Sequence, residues 1–106
     1  MSWYERIVAA HTAVTDAVSH GGRLKSDRYF VWQEEGNDDF LADNRHCEKA
    51  VSGTTDLFTR LEFDPWREQL EKQLDQAPGI TWSLNSIQFE HDTSFWHYEW
   101  IWSVIA

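Results

Sequence analysis

The sequence lacks the features that define several large classes of proteins. It has one cysteine, Cys47, among 106 residues, which excludes an internal disulfide and a cysteine-based zinc site. Its apolar runs fall far short of the roughly 20 residues that a membrane-spanning helix needs. The N-terminal segment has no basic stretch before an apolar core, so it does not resemble a signal peptide. We therefore expect a protein of a reducing compartment that makes no contact with a membrane.

Positive charge is also scarce. Nine Lys and Arg residues stand against 18 Asp and Glu residues, and the formal net charge is −9. This balance argues against binding nucleic acid by neutralising its phosphates. The densest acidic segment contains Glu34, Glu35, Asp38 and Asp39. It is either a solvated loop or a patch that repels DNA or docks a basic partner. A small basic counterpart lies upstream, at Arg23, Lys25 and Arg28.

Motifs for catalysis or cofactor binding are missing. There is no G-x-S-x-G elbow for a serine nucleophile, and Gly21-Gly22 is not followed by the Lys-Ser/Thr pair of a phosphate loop. Two acidic or histidine-bearing groups match no metal-ligand template: His91-Asp92 with His97, and Asp38-Asp39 with Asp43. We expect no metal, no cofactor and no enzymatic activity.

Tryptophan, in contrast, is abundant. The chain has seven, and three of them alternate with other residues along 95–105. An alternation of period two is typical of a β-strand, because successive side chains point to opposite faces of a sheet. Tryptophan is also enriched at protein interfaces. We expect a self-association surface made by the aromatic residues of the C-terminal hairpin, namely Trp82, Phe89, Trp96, Trp100 and Trp102. The alternative is a Trp-rich core with some partly exposed rings.

The remaining pattern predicts two helices and three more strands. Ser2 caps a first helix that the glycines at 21–22 end, and its apolar stripe is spaced by three and four residues: Trp3, Ile7, Ala10, Val14 and Val18. Strands are predicted at 28–34 and 49–60, where Gly53 marks a bulge or a close approach of another backbone. Asp64 caps a second helix with Pro65 at its first position, and Pro78-Gly79 ends it.

The strand at 80–90 changes phase near Asn85-Ser86, which predicts a β-bulge before the final hairpin. The element order is therefore α-β-β-α-β-β in one domain, residues 1–106. We expect an α+β fold in which two helices pack on one face of a four-stranded antiparallel sheet. The other face stays partly open.

In this order of elements the chain resembles the tail terminator (tail completion) proteins of long-tailed bacteriophages and prophages. The resemblance covers nearly the whole chain and includes the first helix, the second helix and the aromatic hairpin. It also rests on three segments: residues 29–32 (YFVW), 38–44 (DDFLADN) and 56–60 (DLFTR).

The resemblance implies a non-catalytic ring of six copies in the virion tail or neck, assembled in the cytoplasm of the bacterial host. Such a ring caps the tail tube, joins it to the head connector and lets DNA pass without specific binding. The acidic residues Glu34, Glu35, Asp38 and Asp39 would then line the channel or a docking surface. The alternatives are another phage neck or minor tail protein, a small acidic inhibitor or DNA mimic, and a small enzyme or ligand binder.

Overall fold

Two helices and five strands make up the computed structural model of the chain, which describes residues 1–37 and 49–106. The elements are α1 (Trp3–Thr12), β1 (Val18–His20), β2 (Arg28–Asn37), β3 (Ala50–Thr59), α2 (Trp66–Gln76), β4 (Ile80–Glu90) and β5 (Phe95–Ile105). The strand order in the sheet is β1-β2-β3-β5-β4. The α+β class is confirmed. The predicted four-stranded antiparallel sheet is corrected to five strands, because β1 joins the edge parallel to β2.

The additional strand, β1, lies in the part of the sequence that the apolar spacing assigned to the first helix. The helix ends at Thr12, and the Thr15 hydroxyl accepts a hydrogen bond from the backbone N–H of Ala17, which turns the chain. Val14 and Val18 still pack against the core. Their spacing therefore indicated burial correctly but not helicity, and the β-branched residues between 12 and 18 favour extended backbone over helix.

Local signals are confirmed at the start of α1 and at both ends of α2, whereas the predicted end of the first helix at Gly21-Gly22 is wrong, because α1 ends at Thr12. Ser2 and Glu5 form the capping box at the start of α1. The Asp64 carboxylate accepts a hydrogen bond from the backbone N–H of Trp66 at 2.9 Å, as an N-cap does, although the regular helix begins one residue later than predicted. Gly79 ends the segment after α2 with φ +75°. That left-handed backbone favours glycine.

The C-terminal hairpin also forms as predicted. β4 and β5 are antiparallel, and the register shifts between Leu84 and Ser86. The extra residue is Asn85, whose side-chain amide donates to Glu99 at 2.6 Å. The bulge returns Ile87 and Phe89 to the face that Leu84 occupies, because they pair with Tyr98 and Trp96 in the shifted register.

Both helices cover the same face of the sheet, which we call the covered face. Its core joins α1 and α2 to side chains from β2, β3 and β5. The buried members are Ile7, Ala10, Phe30, Trp32, Val51, Leu57, Leu70, Leu74, Tyr98, Trp100, Trp102 and Val104. Most of the apolar area that the fold buries lies here, so this face supplies most of the hydrophobic stabilisation.

Gly53 is required by the packing of the covered face. A Cβ at this position would overlap the ring of Trp102 and the backbone oxygen of Gln33. Trp102 of β5 pairs with Gly53 of β3 in the register. Its indole fills the space that a side chain at Gly53 would occupy. A bulge or a close approach of another backbone is predicted at Gly53. The Gln33 backbone does approach closely, together with the Trp102 indole. The register of β2 against β3 also shifts between Glu34 and Gly36, next to Gly53.

The opposite face, which we call the open face, has a smaller cluster made by Tyr29, Val31 and Phe58. The connector of residues 21–27 crosses this face between the parallel strands β1 and β2. The Arg23 guanidinium lies 4.0 Å from the centre of the Phe58 ring and forms an ion pair with Glu90 at 3.4 Å. We call residues 21–27 the strap, because its Arg23 side chain joins β3 to β4 across the sheet.

Candidate functional site: association surfaces and titratable clusters

The aromatic residues predicted to mediate self-association divide into two groups. Trp100 and Trp102 are 0% and 1% exposed. Their indole N–H groups donate to Glu71 of α2 and to Thr55 of β3. Both rings are enclosed by the helices of their own chain, so for these two residues the prediction of an interface is wrong and the core interpretation holds. The physical reason is that their strand face is the one that the helices cover.

The other predicted residues, Trp82, Phe89 and Trp96, keep some exposure. Trp82 packs beside the core, and its indole N–H donates to Asp75 at 2.7 Å. Phe89 is 39% exposed and lies 5.0 Å from Trp96, centre to centre. Ile87, two residues before Phe89 on the same face, is 42% exposed. We call Ile87, Phe89 and Trp96 the distal patch, because they lie on the part of the covered face that α2 leaves exposed.

The distal patch lies on a long free strand edge. Among the residues that the structure describes, β4 pairs only with β5. Its 11 residues contain no Lys and no Pro, which are common devices against edge-to-edge pairing. The bulge at Asn85 is the one such device on this strand. A long free edge that carries exposed apolar side chains, here Ile87 and Phe89, is typical of a surface that another chain covers.

Among the described residues, Phe63 has the most exposed aromatic ring, and it was not among the predicted site residues. Phe63 is 88% exposed, in the loop between β3 and α2. An apolar residue just before a helix N-cap usually packs against the fourth helical residue. Counted from the Asp64 cap, that residue is Glu68, so Phe63 has no apolar partner there. The missing apolar partner is a sequence feature that indicates an exposed Phe63.

The loop that carries Phe63 is held rigidly. Asp64 is 1% exposed, and its two carboxylate oxygens accept hydrogen bonds from Arg28 at 2.8 and 2.5 Å. Burial alone would raise the pKa of Asp64, but the bonds from Arg28 and from the Trp66 backbone lower it below its ordinary value. Arg28 also lies 3.7 Å from the Trp66 ring centre. The Tyr98 hydroxyl donates to the backbone oxygen of Glu62, which fixes the middle of the loop.

The predicted acidic patch is described only in part. Glu34 and Glu35 are exposed near the end of β2, whereas Asp38, Asp39, Asp43 and Cys47 lie outside the described residues. The Glu34 carboxylate pairs with His20 at 2.8 Å, and the His20 ring stacks on Trp32. The bond from His20 lowers the pKa of Glu34. Glu34 therefore carries a negative charge at neutral pH.

Two of the three basic residues upstream of the acidic segment, Arg23 and Arg28, form their contacts within the same chain. Arg23 pairs with Glu90 and lies on Phe58, and Arg28 pairs with Asp64 and lies on Trp66. Both guanidinium groups therefore already have an acidic and an aromatic partner. Arg23 and Arg28 are therefore less available to pair with acidic groups of another chain.

A titratable cluster lies under the strap. The two ring nitrogens of His97 contact Asp56 at 2.8 Å and Glu90 at 3.2 Å, and its ring stacks on Phe58. Burial lowers the pKa of His97, but the hydrogen bond to Asp56 and the charges of Asp56 and Glu90 outweigh it and raise the pKa. Two carboxylate acceptors match an imidazolium, which has two donors. Both ring nitrogens of His97 are therefore paired, as in a structural cluster.

His11 is a second titratable group, inside the covered face. It is 0% exposed, and its Nδ1 donates to the backbone oxygen of Ile7 at 2.7 Å. Its Nε2 accepts from the Thr55 hydroxyl at 2.8 Å, which in turn accepts from the Trp102 indole. Burial lowers the pKa of His11 to about 4. The neutral ring thus satisfies the polar atoms of the core and is not in contact with solvent.

A small cavity opens between the two helices at the opposite end of the sheet from the distal patch. Its volume is about 200 Å³. The lining is mostly apolar, with the Arg6 side chain on one wall, and comprises Met1, Arg6, Ala9, Ala10, Gln73, Gln76, Ala77 and Pro78. The Arg6 guanidinium donates to the backbone oxygens of Pro78 and Ile105. These bonds fix the wall of the cavity. We call it the interhelix cavity.

Comparison with known proteins adds no relative. No protein-family model matches the chain, and no curated protein is significantly similar to it in sequence. Within the described ranges, no three or more His, Cys, Asp and Glu side chains are grouped so that they could hold a metal ion. In the same ranges, neither helix has the length and apolarity needed to cross a bilayer. The proposals below therefore depend on the residues and their geometry.

Proposed function

We propose that this chain is a structural protein of a phage or prophage tail, a ring-forming tail terminator without catalytic activity. Copies of the chain would form a closed ring of six that caps the tail tube and joins it to the head connector. The observation that carries the proposal is the free edge of β4 with the exposed apolar residues Ile87 and Phe89. Such a surface needs a protein partner, because water solvates it poorly.

The charge of the chain supports the same function. A ring through which DNA passes should not bind phosphate, and a net charge of −9 provides repulsion. Glu34 and Glu35, together with Asp38 and Asp39, are the proposed channel or docking residues. Replacing Glu34 and Glu35 with Lys should slow DNA passage or block head joining while the ring still forms. Normal infectivity of that variant would remove them from the channel.

A DNA mimic has less support from the contacts of α2. Its outward carboxylates Glu68, Glu71 and Asp75 have helical spacing and would form a row. However, Glu71 accepts the indole N–H of Trp100 and Asp75 accepts that of Trp82. Two of the three carboxylates therefore attach the helix to the sheet, and a continuous phosphate-like row does not result.

The test is the oligomeric state of the purified protein over a wide concentration range, measured by native mass spectrometry with negative-stain imaging. We expect a discrete closed ring, or capping of one end when purified tail tubes are added. A protein that stays monomeric and leaves both tube ends bare would contradict the proposal.

A matched pair of variants tests the observation itself. Ile87 and Ile101 are both 42% exposed, but Ile87 belongs to the distal patch and Ile101 to the open face. Ile87→Ser should weaken assembly, and Ile101→Ser should leave it unchanged. Equal effects of the two substitutions would mean that the distal patch is not part of the contact.

A further inference from the structure

We propose that Phe63 of one copy inserts into the interhelix cavity of the next copy. This inference rests on the proposed self-assembly and specifies the contact that produces it. The partner is a second copy of this chain. The ring of Phe63 is the projecting group, and the space between α1 and α2 is its receptor.

The projecting side is preorganised. The loop of Phe63 is fixed by the buried pair of Asp64 and Arg28 and by the bond from Tyr98 to Glu62. A ring that is 88% exposed on a rigid loop loses little conformational entropy when it binds. Rigid aromatic residues that enter a pocket are the usual anchors of protein interfaces.

The receptor has the right size and chemistry. An apolar cavity of about 150 Å³ can hold a benzene ring, and the interhelix cavity measures about 200 Å³. Its walls are mostly apolar, through Ala9, Ala77 and Pro78. The immobilised guanidinium of Arg6 can lie against an incoming ring, since cations favour the faces of aromatic rings. The exposed Glu62, beside Phe63, complements the charge of Arg6.

The positions of the two surfaces determine the kind of assembly. Phe63 lies in the loop after Thr59, which pairs with Trp96 of the distal patch. The cavity is lined by Pro78, at the other end of β4. The length of this strand separates the two surfaces by roughly 30 Å. A contact between different surfaces at opposite ends is head-to-tail, which generates a ring when the rotation closes.

The test uses two complementary variants and a mixing experiment. Phe63→Ala removes the projecting ring and keeps the cavity. Ala9→Trp places an indole on an exposed helix position in the cavity wall and keeps Phe63. We expect each variant alone to associate about 30-fold more weakly than the native protein, or worse. An equimolar mixture should form one-to-one dimers, because one intact contact remains between the two variants.

The measurements are sedimentation velocity and native mass spectrometry, with circular dichroism melting curves to verify that each variant is folded. Ile101→Ala, on the open face, is the control and should assemble like the native protein. Native-like assembly of Phe63→Ala, or a mixture that contains only monomers, would overturn the inference. If Phe63→Ala still forms rings that cap tail tubes, this contact is wrong and the terminator function stands. If the native protein neither assembles nor caps tubes, both are wrong.

Discussion

The two faces of the sheet stabilise the same strands by different physical means. In the core of the covered face, the uncharged polar groups of His11, Thr55 and Trp102 satisfy one another's hydrogen bonds. The open face keeps water nearby and uses full charges, with His97 between two carboxylates and Arg23 on an aromatic ring. Neighbouring residues of one strand point to opposite faces, so one side chain is shielded from water and the next stays close to it. Burial lowers the pKa of both histidines, but at His97 the carboxylates of Asp56 and Glu90 outweigh it and raise the pKa.

The largest expected effect concerns how far the helices enclose the side chains of the covered face, where Trp100 is fully buried and Phe89 is 39% exposed. Trp100→Ala removes a fully buried indole and should destabilise the fold by about 3–5 kcal/mol. Phe89→Ala, at the exposed distal patch, should cost less than about 1 kcal/mol. Urea unfolding followed by circular dichroism measures both. A stable, folded Trp100→Ala protein that merely fails to assemble would contradict the core assignment and return Trp100 to the interface.

The second prediction compares the histidines of the two faces by pH. The pKa of His11 is lowered to about 4, so the unfolded chain takes up a proton near pH 6.5 and the folded chain does not. Stability should therefore fall as the pH drops below 6.5, by about 2 kcal/mol at pH 4.5 from this residue alone. His11→Gln should lose that part of the pH dependence. It is measured as the difference between native and variant unfolding free energies from pH 7.5 to 4.5.

His97 should behave in the opposite way. Its pKa is raised in the folded protein, so its contribution is fully present below the unfolded pKa near 6.5 and is lost as the pH rises through the folded pKa. The difference in unfolding free energy between the native protein and His97→Gln should accordingly be larger at pH 6 than at pH 9. If the two histidine variants show pH profiles of the same sign, the contrast between the faces does not hold.

The smallest expected effect concerns the strap. Arg23→Gln removes a contact with Phe58 and an ion pair with Glu90, both at a half-exposed site, and should cost about 0.5–1 kcal/mol. Lys25→Gln is the matched control on the same segment, where no comparable contact is made, and should be neutral within error. Urea unfolding at low and high salt measures both variants. A loss as large for Lys25→Gln as for Arg23→Gln would mean that general charge, and not the Arg23 contacts, holds the strap.

The elements of the chain were predictable where their causes are local. The capping box at Ser2, the turn at Gly79 and the bulge at Asn85 depend on residues close in sequence, and all three are confirmed. The strand β1 was not predictable from its apolar spacing. Val14 and Val18 are buried in either conformation, so pairing with β2 decided the structure.

The candidate site shows the same division. Alternation placed Trp96, Trp100 and Trp102 on one face of β5, but it could not specify which layer covers that face. The helices cover Trp100 and Trp102 and stop short of Trp96, so one strand supplies both core and surface. The lack of an apolar partner for Phe63 four residues after the cap could be read from the sequence, but the rigid position of its loop depends on the distant residue Arg28.

The sequence by itself determined the α+β class, the strand periodicity, the caps and the acidic charge, because these follow from side chains within a few residues of each other. The tertiary structure decided which aromatic rings are core, which ring projects and where the cavity lies. Those properties depend on packing between residues far apart in the chain, such as Trp102 on Gly53. Local patterns specify the faces of an element, and only the assembled layers determine what covers each face.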